Sequence, residues 1–505
     1  MNLNETADFL EIVEQRCSVD DWKIDGICIW PLVRINLKDK AYISENSEIL
    51  IENQWRRRFE IVKKAFIDNL KILVCDSQHN QSVKSSDVVF LGYAVNRNVL
   101  MPDKTLLDHN LDPIKMCLEN KGITTFSFEE IGDNELRLPR WSNSYIVDKQ
   151  LLRRRICNKF FKRKYKKVIC QVQGYDEFLQ ILKSENINTS GLSLNELIET
   201  INNIQSLADM FLVWLDKIKP KLVIYTNWQS STRMAISLAA HKKNIPVLEI
   251  QHGVAASGGK NNITYCNWLK IPKGGYELAP DYMWVWDTSD YEAMISWANE
   301  SWKPFVGGHP MNLIWTDSNN KMTEHYQKRY SELYENDKPV ILFTLQWGVS
   351  YPDWIIDYIN QHEEYTWIIR RHPISDECIE RFISKMEQKD NIKINSSDCF
   401  PLEVLLMNID VHITMYSSVV IDAESFSCPS IVLHPEARNF FSKQIDDGKV
   451  YFVDDNMMLN GKIKELISDI GKKNNCQDFA KMHDVGCKAL NNIMSIIAEN
   501  GCAWE

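Results

Sequence analysis

The sequence predicts an α/β chain of two doubly wound domains. At 505 residues it exceeds what one hydrophobic core organises, so two domains of roughly 200 residues each are the default. Short apolar runs rich in β-branched residues alternate with stretches of helical periodicity, the pattern of parallel strands crossed over by helices. A polar stretch, Thr316 to Lys338, separates two such series. The expected boundaries are residues 1–315 and 316–475 for the domains, with 476–505 a helix folding back on the first.

The elements follow in order. A helical pattern with Ala7, Leu10, Ile12 and Val13 opens the chain, and the apolar stretch Ile27 to Val33 follows. Ile49 to Ile67 is again helical and carries Arg56-Arg57-Arg58. Lys71 to Cys75 and Asp87 to Tyr93 read as buried parallel strands, being short, apolar and β-branched. Leu192 to Ile218 has apolar residues spaced by three or four, and Pro220 ends that helix. Leu222 to Tyr225 and Pro246 to Ile250 are strands, with Ser231 to Lys243 a helix between them. Met283 to Trp286 and Lys303 to Gly308 continue the series.

The second series has strands at Pro339 to Leu345, Tyr365 to Arg370, Asn391 to Asn395, Asp410 to Tyr416, Pro429 to Leu433 and Val450 to Val453. Helices Trp354 to His362, Cys378 to Gln388 and Val419 to Ser427 lie between them.

Composition excludes several classes. A net charge of −10 argues against a general nucleic-acid binder. The first residues lack the basic and apolar regions of an export leader. No run of about 18 uncharged apolar residues is present, so nothing is expected to span a membrane. Thirteen scattered cysteines without a C-x-x-C pair read as reduced packing residues rather than a zinc site.

Candidate chemistry gathers where strands end, since ligands of α/β sheets dock at the carboxyl ends of strands. Gln251-His252-Gly253 follows one strand directly. An imidazole there is either a base for an acceptor hydroxyl or a ring that bonds its own loop, and Gly253 lets backbone approach a ligand closely. In the second series Arg371-His372-Pro373 takes the same position. Arg371 with His372 would neutralise a pyrophosphate or a departing phosphate; the alternative is surface ion pairs around a turn. Two further His-Pro pairs, His309-Pro310 and His434-Pro435, weaken the dipeptide as a signal, and the first reads as the crossing between domains.

Ser417 and Ser418 are expected to cap the helix from about Val419, which suits phosphate as well as a plain cap. Glu424 on that helix would accept from ribose hydroxyls or be an ordinary surface acid. Ser396-Ser397-Asp398 and Leu402 to Leu406 would wall a base pocket. The loop from Gly258-Gly259-Lys260 to Tyr276 would be an acceptor-binding or closing loop. Between Leu151 and Cys170 nine Lys and Arg side chains stand without an acid, interleaved with Phe160, Phe161 and Tyr165. That segment suits anionic lipid headgroups or a polyanionic glycan, or is a solvated basic helix.

Together, Gln251-His252-Gly253, Arg371-His372-Pro373 and Ser417-Ser418 with Glu424 resemble a GT-B superfamily group of bacterial surface-polysaccharide glycosyltransferases. The group includes capsule and lipopolysaccharide Kdo transferases, GT-B sialyltransferases and CDP-glycerol glycerophosphotransferases. The resemblance spans roughly residues 220–435. It implies a GT-B fold, two Rossmann-like domains facing across a cleft, with the acceptor on the first and the nucleotide donor on the second.

By the same resemblance His252 is the general base or an acceptor-site residue, beside Gln251, Gly253 and Lys260. His372, Arg371, Pro373, Ser417, Ser418 and Glu424 hold the donor. No metal and no cofactor beyond the nucleotide-sugar co-substrate is implied, and CMP- or CDP-linked donors are favoured with inversion expected. Sialyltransferases of the group use an acidic base, for which Asp281 and Asp287 are only distant substitutes here. The expected partners are a nucleotide sugar donor and a glycan or lipid-linked acceptor. The expected location is the cytoplasm, at the inner face of the membrane if residues 151–170 bind it. The rivals are a nucleotide-sugar 2-epimerase, which would need a carboxylate cluster in the cleft, and a GT-B-shaped scaffold without catalysis.

Overall fold

The computed structural model describes the chain except for residues 1–2, 46–82, 132–137, 161–167, 186, 254, 256–263, 318–320, 335–337, 373–375, 396–399, 471–478 and 501–505. The expected helix Ile49 to Ile67, the strand Lys71 to Cys75, and the site candidates Lys260, Pro373 and Ser396 to Asp398 lie outside the described residues.

Two parallel sheets organise the molecule. The first has seven strands: β1 (Val88–Tyr93), β2 (Thr125–Glu130), β3 (Tyr145–Ile146), β4 (Leu222–Thr226), β5 (Val247–Ile250), β6 (Tyr282–Val285) and β7 (Lys303–Val306). Their spatial order is β7-β6-β5-β4-β1-β2-β3. The second has six: β8 (Val340–Thr344), β9 (Thr366–Arg370), β10 (Ile392–Asn395), β11 (Val411–Thr414), β12 (Ser430–Val432) and β13 (Val450–Phe452), ordered β10-β9-β8-β11-β12-β13. All ladders in both sheets are parallel.

These are the two doubly wound, Rossmann-like parallel sheets that the strand–helix alternation predicts. Strand order reverses between β1 and β4 in the first sheet and between β8 and β11 in the second. Crevices open at such reversals, because successive crossovers leave to opposite sides.

The residues explain the burial. Strands covered on both faces need apolar side chains throughout, and Leu222 to Tyr225 and Ile341 to Phe343 are buried accordingly. In β5, Val247 faces a core rich in aromatic rings, among them Trp228, Trp268 and Trp302. Leu248 and Ile250 point the other way, into a core shared with Val420, Val432 and Phe441 of the second domain. The helix Phe479–Glu499 adds Leu490, Ile493 and Ile497 to that shared core. The stretch Thr316 to Lys338 is more than a link: its helix Lys321–Tyr334 buries Met322, Tyr326 and Tyr330 beside Phe400 and Val404.

Before β1, the helix Trp30–Glu45 begins within the apolar stretch Ile27 to Val33, with Pro31 in its first turn, where no N–H is needed. Arg34 of this helix is buried against Glu14 at 2.6 Å and lies over the Trp268 ring at 4.1 Å. The described part of the basic segment is a helix from Asp148 to Phe160, with Arg153 exposed. No helix among the described residues is long and apolar enough to cross a membrane.

Candidate functional site

Two strand ends build the first-domain wall. β5 delivers Gln251-His252-Gly253, and β4 delivers Trp228 and Gln229 beside the strand-order reversal. Gln251 is buried and fully occupied. Its Nε2 donates to Gly253 O at 2.7 Å and to Asp290 Oδ2 at 2.6 Å, and its Oε1 accepts from Trp286 N at 2.8 Å. Gln251 thus rivets the loop that carries His252 while it also lines the pocket beside that ring.

The His252 ring is exposed to the crevice. Enclosure by surrounding protein, then the positive charges of Lys38 and Arg233 and the nearby His109 ring, push its pKa down to about 4. Water at the open edge moderates that fall. The imidazole is neutral at pH 7, the form that accepts a proton.

A pocket of about 180 Å³ opens beside it, lined by Lys38, Gln229, His252, Gly253, Tyr265 and others. Lys38 Nζ donates to Gln229 Oε1 at 2.8 Å, and Gln229 Nε2 donates to Thr264 Oγ1 at 2.8 Å. Beneath, the Tyr265 hydroxyl donates to Glu249 Oε1 at 2.6 Å, and Trp228 N donates to the same oxygen at 3.1 Å. Burial pushes the Glu249 carboxyl up to about 8, so it is neutral at pH 7. The sequence reading gave no role to Lys38, Tyr265 or Glu249; Lys38 reaches the pocket from a segment 191 residues before its partner Gln229.

Asp281 and Asp287 are accounted for elsewhere. Asp281 Oδ2 accepts from Val247 N at 2.8 Å, at the amino end of β5 and so at the opposite edge of the sheet. Asp287 caps a helix through Asp290 N at 2.8 Å.

In the second domain the two arginines after β9 separate. Arg371 pairs with Glu380 at 2.8 Å on a half-exposed face, the surface ion pair that was the alternative to phosphate contact. Arg370 turns to the domain junction instead: its Nη1 donates to Phe400 O at 2.6 Å, and its charge is felt by His109 and Glu403. His372 follows, half-buried. Ser418 precedes the helix Val419–Ser425 in helical conformation and its side chain caps nothing. Ser417 Oγ accepts only a long 3.4 Å bond from Val419 N. Of the expected capping only this weak contact of Ser417 is present among the described residues, and both serines are half-exposed. Glu424 is held by Lys449 at 2.6 Å, so its carboxylate is committed away from a ribose unless that pair opens.

Opposite Ser417, the loop after β8 is pinned in place. The Tyr351 hydroxyl donates to Gln346 O at 2.8 Å, Gln346 Oε1 accepts from Tyr416 N at 3.1 Å, and Gly348 N donates to Asp376 Oδ2 at 2.6 Å. Between these anchors Trp347 stands 52% exposed, an aromatic face beside the β8/β11 reversal. The expected wall Leu402 to Leu406 is a helix that buries Val404 to Leu406 in a core instead.

The junction between the walls holds a half-buried titratable group, His109. It feels the charge of Arg370, and His252 in turn feels His109. Its Nδ1 donates to Asn96 O at 2.9 Å, and its ring stacks parallel to His309 with centroids 6.0 Å apart. His309 Nδ1 accepts from Met311 N at 3.2 Å and stands 3.9 Å from Glu403 Oε1. Burial pushes His309 down to about 3 and Glu403 up to about 7, so between those values the contact joins neutral groups. Asp422, also buried, is raised well above its ordinary range by burial and by Glu403. His309, read as a mere crossing, is part of this cluster.

No protein-family model matches the sequence, and no curated protein matches it either. Solved structures similar to the chain include the UDP-GlcNAc 2-epimerase from Methanocaldococcus jannaschii, at 15% identity and TM-score 0.46, covering 81% of this chain and 99% of that one. The UDP-GlcNAc 2-epimerase from Neisseria meningitidis bound to UDP-GlcNAc has 14% identity and TM-score 0.45, covering 82% and 100%. The glycotransferase of kitacinnamycin has 10% identity and TM-score 0.46, covering 82% and 99%.

Proposed function

We propose that the protein is a metal-independent glycosyltransferase that moves a sugar from a nucleotide donor, CMP- or CDP-linked by preference, to a bacterial surface polysaccharide or lipid-linked glycan. One observation supports the reading: His109 neighbours both Arg370, at the carboxyl end of β9, and His252, just past the carboxyl end of β5, so strand ends of the two sheets lie near one histidine. His252 takes the proton of the acceptor hydroxyl as its oxygen bonds to the anomeric carbon. The bond from that carbon to the donor phosphate breaks, and its electron pair leaves with the nucleotide. His372 and the hydroxyls of Ser417 and Ser418 stabilise the departing phosphate, and Trp347 offers a stacking face for the base. The work is cytoplasmic in this reading, with residues 151–170 touching the inner membrane face.

A thermal-shift series with CMP, CDP, UDP and GDP on the full chain tests this. Stabilisation by one nucleotide, lost in His372→Ala, supports the reading; indifference to all four removes it. A second reading, a nucleotide-sugar 2-epimerase, is favoured by Glu403 and Asp422 beside His309, the kind of carboxyl cluster such chemistry needs. Incubating a nucleotide sugar without acceptor and finding its C2 epimer by NMR would select it.

A further inference from the structure

The pocket beside His252 has a chemistry of its own. Of the described side chains lining it, Lys38, His252 and Tyr265 titrate, and none is acidic. Lys38 is half-buried on the helix Trp30–Glu45. Among the described residues its ammonium donates to Gln229 alone, a neutral amide whose own nitrogen is engaged with Thr264. Burial lowers its pKa, with Asp39 only partly opposing, the mark of a cation short of a counter-charge. Asp39 itself is exposed and raised by burial of its carboxyl, with Lys38 opposing. The nearest acid beneath the pocket, Glu249, is neutral at pH 7 and bound to Tyr265. Arg233 adds positive charge from behind, although Glu130 pairs with it at 2.5 Å. A half-desolvated ammonium facing an acid-free pocket favours an anion over a neutral sugar.

The size restricts the ligand further. At about 180 Å³ the pocket is smaller than the roughly 300 Å³ at which sites for larger ligands begin. It takes one compact group, not a chain.

We propose that this pocket is a binding site for a single compact anionic group, a carboxylate or a phosphate, held by Lys38 and carried, on the transferase reading, by the acceptor. Its position beside His252 links it to the chemistry. An anion on Lys38 cancels one of the positive charges that keep the imidazole a weak base, so the correctly charged acceptor strengthens the base that deprotonates it.

The experiment uses the full chain and three probes: glucuronate, sn-glycerol 3-phosphate and neutral glucose, titrated by calorimetry or ligand-observed NMR. Either or both charged probes are expected to bind at millimolar level and glucose not at all. Binding of glucuronate alone names a uronate-type group, and of glycerol phosphate alone a phosphate. Lys38→Met should weaken that binding roughly tenfold or more, the loss of one charge-assisted contact, and Lys38→Arg should retain most of it. Gln229→Glu, which supplies an internal counter-charge, should mimic Lys38→Met even if the latter folds poorly. The nucleotide-induced thermal shift should survive in Lys38→Met. If wild type binds neither charged probe, or the variants bind them as wild type does, the pocket assignment is overturned, whatever the nucleotide screen shows. If the anion binds through Lys38 but no nucleotide shifts the protein, the pocket stands and the transferase reading falls.

Discussion

A histidine that must accept a proton at neutral pH has to be unprotonated, reachable and held still. His252 is exposed to the crevice, is pushed down to about 4 by enclosure and positive neighbours, and sits on a loop fixed by Gln251. His252→Ala is therefore expected to lower kcat by about 10²–10⁴-fold, the usual worth of a positioned base, with Tm unchanged. Its ionisation should put the acid limb of kcat/KM in the free enzyme well below the ordinary 6.5. A limb at 6.5 would show that neither enclosure nor Lys38 and Arg233 act on the ring. On the opposite wall, Trp347 is open and touches little that the core needs. Trp347→Ala should cost nucleotide binding about 1–3 kcal/mol, the range for a base stacked on an aromatic ring, while urea unfolding stays as in wild type. Equal nucleotide affinity would remove the stacking role.

At the scale of elements, two glycines beyond the carboxyl ends of β7 and β5 separate packing from function. A Cβ on Gly307, after β7, would stand 2.0 Å from a ring atom of fully buried Trp284, whose Nε1 donates to Gly308 O at 2.7 Å. Gly307→Ala should destabilise by about 3 kcal/mol, the upper range for overpacking, lowering the urea midpoint without changing the slope. A Cβ on Gly253, after β5, would meet nothing within 4 Å. Gly253→Ala should fold as wild type, yet narrow the pocket it lines and weaken ligands there. An equal loss of stability in both variants would contradict this division.

The same scale shows what could be read from sequence. Strands such as Leu222 to Thr226 and Thr366 to Arg370 were legible because covered parallel strands must be apolar throughout. Thr125 to Glu130 gave no such signal. It alternates aromatic with polar residues, and its acids are buried only because Arg97, Arg140 and Arg233 arrive from elsewhere to pair with them. The site divides in the same way. Motifs adjoining a strand end could be located, whereas Lys38, His109 and Glu403 take their meaning from neighbours in other segments of the chain. Nor could alternation say which of Arg370 and Arg371 faces the junction; Glu380 and Phe400 decide that.

For the molecule as a whole, the domain junction sets how stability responds to pH. Glu403 ionises near 4.5 when unfolded, and burial raises it to about 7 in the folded protein. Between those values folding takes up a proton. The stabilisation is fully present below about 4.5 and is lost as pH rises through about 7, a difference of roughly 3 kcal/mol by the pKa scale. The enclosed histidines act with the opposite sign. His109, pushed down to about 4, and His309 and His412, pushed down to about 3, must stay neutral in the fold. Their contribution is complete above about 6.5 and fades as pH falls towards 4 and 3. Glu403→Gln removes only the alkaline limb, since the amide keeps the shape but cannot ionise. Its stability relative to wild type should rise by roughly 3 kcal/mol between pH 5 and pH 8, measured by urea unfolding, while the acid limb remains. A constant difference across that range would mean that Glu403 is ionised in the folded protein, and that the junction stays open to water between the two walls.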